Sequence, residues 1–172
     1  MTLTTIGQRD LRDFPVASNS TGMIHSEQMF ELGGPIVWNA PPNGQPTLSN
    51  NTQLKLSGAV VIRAVDDYGR VESAWLGDLE PGSQVAVEWR PHDPDALHAR
   101  RERDGLSSSR PGQGALSLRQ LLDVAEDQES FSAGDVRLVA FSDGELAGME
   151  VSPSSTQVRR GTVVVAHLQY AP

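Results

Sequence analysis

Alternation constrains this chain more than any other feature. Across residues 84–90, Val85, Val87 and Trp89 fall on one side and Gln84, Ala86, Glu88 and Arg90 on the other. Successive side chains of a strand point to opposite faces, so a period of two predicts a half-buried strand. Upstream, Gly58-Ala-Val-Val-Ile-Arg-Ala-Val65 is rich in β-branched residues and runs into the turn-forming Asp66-Asp-Tyr-Gly-Arg70. Val71-Glu-Ser-Ala-Trp-Leu76 then pairs back as a hairpin. In Glu80-Pro-Gly-Ser83, proline's fixed φ and glycine's freedom signal a type II turn. Residues 53–90 therefore read as a four-strand meander.

The C-terminal third repeats the pattern. Val136-Arg-Leu-Val-Ala-Phe141 and Leu146-Ala-Gly-Met-Glu-Val151 flank a turn, and a last strand runs from Thr162 to Tyr170. Its residues Val164, Ala166, Leu168 and Tyr170 share one face, and its length predicts a place inside a sheet. Between the two β-rich blocks, His92-Asp-Pro-Asp95, Arg100-Arg-Glu-Arg-Asp104 and a Ser/Gly-rich stretch read as a flexible, exposed insertion over residues 91–114. A short helix follows: Ser117 and Gln120 form a capping-box pattern, and Leu118, Leu121, Leu122 and Ala125 lie on one helical face that packs on a sheet. Residues 1–50 read as an irregular extension with two or three strands around Met23, Met29 and Ile36, and a long loop over residues 39–50. Eight to ten strands, one helix and no alternating crossovers predict a single mainly β domain over residues 1–172. The expected architecture is an antiparallel β-sandwich rather than a Rossmann or TIM fold.

Composition narrows function by exclusion. Of 172 residues none is cysteine, which removes disulfides, zinc ribbons and thiol nucleophiles. A net charge of −8 opposes binding to phosphate backbones, and the arginine cluster carries no interleaved aromatics for base stacking, so no nucleic-acid partner is expected. No apolar run reaches the roughly 20 residues of a membrane span, and the first residues lack a signal-peptide core. No direct membrane insertion by this segment is expected.

The residues Leu54-Lys-Leu-Ser-Gly-Ala-Val-Val-Ile-Arg63, the hairpin turn Asp67-Tyr-Gly-Arg70 and the stretch Leu76-Gly-Asp-Leu-Glu-Pro-Gly82 before an alternating strand resemble bacterial immunoglobulin-like or fibronectin-III-like modules. The resemblance covers residues 51–90 and, more faintly, 135–170. It implies an extracytoplasmic β-sandwich, in the periplasm or cell envelope, cut from a longer membrane protein with a protein or membrane-protein partner. It implies no catalytic residues. The chain departs from a plain seven-strand module in its insertion, its helix and its N-terminal extension.

Candidate chemistry is sparse. His92 and His98, beside Asp93 and Asp95, offer metal-ligand types, but a six-residue separation stiffened by Pro94 fits neither a helical pair nor a tight ligand turn. No serine sits in a Gly-x-Ser-x-Gly elbow; Ser117 has a role as a helix cap, and the run at Ser107 as flexible chain. Asp66-Asp67 and Glu126-Asp127 are carboxylate pairs, but sequence neighbours do not establish the separation that acid–base work needs, and Asp66-Asp67 and Asp143-Gly144 have turn-forming roles. The Gly112 and Gly114 pair lacks the lysine of a phosphate loop. The sequon Asn50-Asn-Thr52 matters only in a secretory eukaryotic setting. No metal, cofactor or catalytic residue is assigned. Trp38, Trp75, His92, His98, Arg100, Arg101 and Arg103 are the candidates for a ligand or partner surface. The expected function is a non-enzymatic interaction or spacer module. A carbohydrate-binding module using outward-facing tryptophans is the alternative, or a hydrolase assembled from the insertion and neighbouring loops.

Overall fold

The structure, a computed structural model, describes residues 31–66, 68–106, 119–126, 132–142 and 162–168. It is mainly β, with two antiparallel sheets. β1 (Ile36–Asn39), β2 (Thr47–Asn50) and β5 (Ser83–Ala86) form the smaller sheet in the order β1-β2-β5. β3 (Leu56–Ala64), β4 (Val71–Leu79), β6 (Arg90–Pro91), β7 (Val136–Ser142) and β8 (Thr162–Leu168) form the larger in the order β6-β4-β3-β7-β8. Two helices accompany them, α1 (Pro94–Arg103) and α2 (Arg119–Ala125).

The β3–β4 hairpin follows from its turn. Asp66 Oδ1 accepts the backbone N–H groups of Tyr68 and Arg70 at 3.0 and 3.1 Å, and Val65 N donates to Arg70 O at 2.8 Å. Gly69 takes φ 85°, which a β-carbon would oppose. Arg63 lies opposite Glu72 across the strands and donates Nε and Nη2 to Glu72 Oε2 at 2.9 and 2.6 Å. Near the far end of the hairpin the register shifts between Leu56 and Val60, where Gly58 has φ 57° and a β-carbon would meet Leu106 Cδ1 at 2.4 Å. That bulge lets the segment after α1 lie against the sheet.

β3 and β7 are buried along almost their whole length. Their side chains alternate between two cores. Ala59, Val61, Leu138 and Ala140 join Trp38, Leu48, Leu79 and Val87 between the sheets. Val60, Ile62, Val139 and Phe141 face the other way and pack with Leu97 of α1 and Leu122 and Ala125 of α2. The arrangement is three layers: small sheet, large sheet, helices.

Several expectations are corrected. The meander breaks at β5, which leaves the hairpin and pairs with β2 through Leu48 opposite Val85, so only the first half of the alternating run lies in that sheet. The corner is pegged by Asn50, fully buried, whose amide donates to Leu54 O at 2.8 Å and Leu79 O at 3.0 Å while Gly82 N donates to Asn50 O at 2.6 Å. The expected loop over 39–50 ends in β2. β8 lies at the edge of the larger sheet among the described residues, with Val165 43% exposed, rather than inside it. The described part of the expected flexible insertion, residues 91–106, contains α1, so the described residues carry two helices where one was expected. The strand expected over 146–151, the candidate strands around Met23 and Met29, and the cap at Ser117 lie outside the described residues.

Candidate functional site

α1 forms from end signals rather than from an apolar stripe. Asp93 caps its N-terminus, accepting from Ala96 N at 3.0 Å, and Pro94 follows where its missing N–H costs nothing. At the other end Gly105 takes φ 75°, Gly105 N donates to Glu102 O, and Leu106 N donates to Arg101 O at 2.9 Å. This is a Schellman closure, and it seats Leu106 on the bulge at Gly58. The face turned to the sheet is Leu97, His98 and Arg101.

These residues meet α2 in a buried polar layer. Arg101 is 0% exposed and donates Nη2 to Glu126 Oε1, itself 5% exposed. His98 Nε2 lies 3.1 Å from Asp123 Oδ1. Arg137 rises from β7 and donates Nη1 to Ala125 O at 2.9 Å, satisfying a carbonyl at the end of α2. The Arg101 guanidinium also lies 5.8 Å from the Phe141 ring. Two side-chain pairs therefore join α1 to α2, and a third contact joins α2 to the sheet.

His92 stands at the approach to this layer. Its backbone N donates to Val71 O at 3.1 Å, while both ring nitrogens are buried without a hydrogen-bond partner. Burial pushes its pKa below the usual histidine range; the fields of Glu126 and Asp93 oppose that shift and Arg101 adds to it.

The seven candidate residues thus divide. His98 and Arg101, read as parts of a solvated loop, are buried ties, and His92 lies beside them. Arg100 and Arg103 remain exposed, with Arg100 stacked 5.0 Å above the Trp75 ring. Trp38 is 2% exposed and meets Trp89 edge-on, with ring centroids 5.7 Å apart. Trp89 in turn lies 4.3 Å beneath the Arg63 guanidinium. None of the three indoles presents a bare platform to a sugar ring.

Asp123 and Arg137 were not singled out by sequence. The legible signal was the pair of ends of α1, an Asp-Pro start and an Arg-rich last turn before Gly105, which place Leu97 and Arg101 four apart on one face. Among the described residues no group of three histidines or carboxylates is placed to hold a metal ion. Asn50 of the sequon is occupied as the corner peg and has no accessible amide. No described helix is long and apolar enough to cross a membrane. Compared with known proteins, the chain matches no family model, no curated protein and no solved structure.

Proposed function

We propose that this chain is a non-catalytic interaction or spacer module of a bacterial envelope protein, carried outside the cytoplasm. The observation that carries this reading is the use made of the ionisable side chains. Arg101 faces Glu126 and His98 faces Asp123, so groups able to do acid–base work tie one helix to another, the first pair under the surface and the second at its margin. A catalytic group has to reach its substrate, and Arg101 and Glu126 are both covered. The immunoglobulin-like resemblance of residues 51–90 supports the extracytoplasmic placement.

The contact point fits the same reading. Tyr68 is 97% exposed at the tip of the β3–β4 hairpin, on a turn stiffened by Asp66. A tyrosine held on a rigid turn gives large contact area for little lost side-chain freedom, which is why such residues anchor interfaces.

A photo-crosslinking residue placed at position 68, and separately at exposed position 84, in cells making the parent protein tests the proposal. A discrete adduct from position 68 and none from position 84 is the expected outcome. Turnover of an ester, phosphoester or glycoside by the purified chain, abolished in folded R101M/E126L, contradicts it.

A further inference from the structure

Residues 90–96 are fastened to the domain by a single side chain. Arg90, Pro91, Asp93, Pro94, Asp95 and Ala96 are all exposed, and His92 among them is half-buried. β6 adds little backbone pairing, since its two residues lie opposite Ser73 and Glu72 and Pro91 has no N–H to donate. His92 N donates to Val71 O at 3.1 Å, and the next residue, Asp93, caps α1. From Leu97 onward α1 has other holds: Leu97 in the core beneath the helices, His98 against Asp123 and Arg101 against Glu126. Both ring nitrogens of His92 are covered and have no hydrogen-bond partner. The neutral ring leaves one N–H unsatisfied there, whereas the protonated ring would leave two together with a buried charge, so a proton favours a ring turned out to water.

We propose that His92 is a proton-sensitive latch: in mild acid its ring leaves the interior for solvent and residues 90–96 lift from β4, while α1 from Leu97 onward stays docked. The charged groups acting on the ring come from several elements. Glu126 on α2 and Asp93 beside it favour its proton, Arg101 on α1 opposes it, and burial outweighs the two carboxylates. On β4, Glu72 lies opposite Pro91 and is engaged by Arg63. His98 differs from His92 in keeping an acceptor when protonated, because Asp123 faces it, so acid does not loosen that tie. Lifting frees the β4 backbone that β6 and His92 now pair, at Ser73 and Val71. The latch goes beyond the interaction reading and does not depend on it.

Native-state hydrogen exchange of the full chain at pH 5.5 and 7.5, corrected for intrinsic rates, tests the latch. Its reporters are the amides of His92, Ala96 and Leu97, bonded to Val71 O, Asp93 Oδ1 and Asp93 O. An open form whose imidazole titrates at the ordinary 6.5, against a closed form that takes no proton, makes their opening about tenfold more frequent at pH 5.5. The amides of Asp104 and Leu106, at the far end of α1, change far less, and H92F abolishes the response at the reporters. No rise, a rise retained in H92F, or a rise as large at Asp104 and Leu106 overturns the latch. If H92F fails to fold, the imidazole signals of the unaltered chain decide. Titration of His92 below 6.5 in step with the opening of its own amide upholds the latch; titration at or above 6.5, or without that opening, overturns it. A missing crosslink at position 68 leaves these results untouched, so the two readings fail separately.

Discussion

The two faces of the five-stranded sheet are covered by different chemistry. Toward the small sheet, Val61, Leu138 and Ala140 meet Trp38, Leu48 and Val87 in an apolar cluster, with the buried Asn50 at its corner. Toward the helices, Ile62, Val139 and Phe141 meet Leu97, Leu106, Leu122 and Ala125, with Arg101, Glu126 and His98 buried among them. The first face is held by area removed from water, a non-directional force. The second adds charge pairs that stabilise only when geometry is good, because each ion has lost its hydration. One cover is tolerant of repacking and indifferent to pH; the other is specific in geometry and sensitive to both partners.

That contrast breaks most clearly at the buried pair. Arg101→Met strands Glu126 without its cation and is expected to cost about 3–5 kcal/mol in urea unfolding, whereas R101M/E126L returns most of that loss. A double variant as unstable as the single would mean that the pair contributes through packing alone. Leu138→Ala, on the apolar face and 0% exposed, is expected to cost about 2–5 kcal/mol. Leu122→Ala, equally buried beneath the helices, should fall below it by chemical denaturation, because a two-helix cover relaxes into the space more readily than β7, which is paired on both sides. Equal costs would erase the distinction between the faces.

A smaller effect sharpens the comparison through pH. His92 is lowered in the fold, so the unfolded chain takes up its proton first as pH falls below the ordinary histidine value of 6.5. With more protons bound in the unfolded state, stability declines on acidification through that window and is restored above it. His92→Phe should flatten this part of the pH–stability curve, read from urea midpoints between pH 5 and 7. Leu138→Ala should leave its shape unchanged.

The apolar face was legible from sequence and the helical face largely was not, for a physical reason. Period-two alternation reports burial by hydrophobic contrast, so the run from Thr162 yields β8 with Val164 and Leu168 inward, while the apolar run Val136 to Phe141 yields β7, buried on both faces. The stripe at Leu122 and Ala125 likewise finds its sheet. In α1 the buried positions are Leu97, His98 and Arg101, and a charge that is buried by pairing looks solvated to any hydrophobic pattern. Its end signals, Asp93-Pro94 and Gly105, were present but sat inside a run of charges that read as loop. The change of sheet at β5 was hidden differently: alternation fixes which side chains face inward, not which strand is the neighbour, and here the neighbour is set by the Asn50 corner.

Hydrogen exchange of native-state backbone amides measures the two covers separately in one experiment. If the helices are a cover tied on by charge pairs over an independently cored sandwich, α1 and α2 amides exchange through a partial opening of lower free energy than β3 and β7. Lowering the pH from 7 toward 5.5 then widens the gap, once intrinsic exchange rates are corrected for pH. Helix and strand amides exchanging with one common free energy at both pH values would contradict the account, and the three layers would be a single cooperative unit.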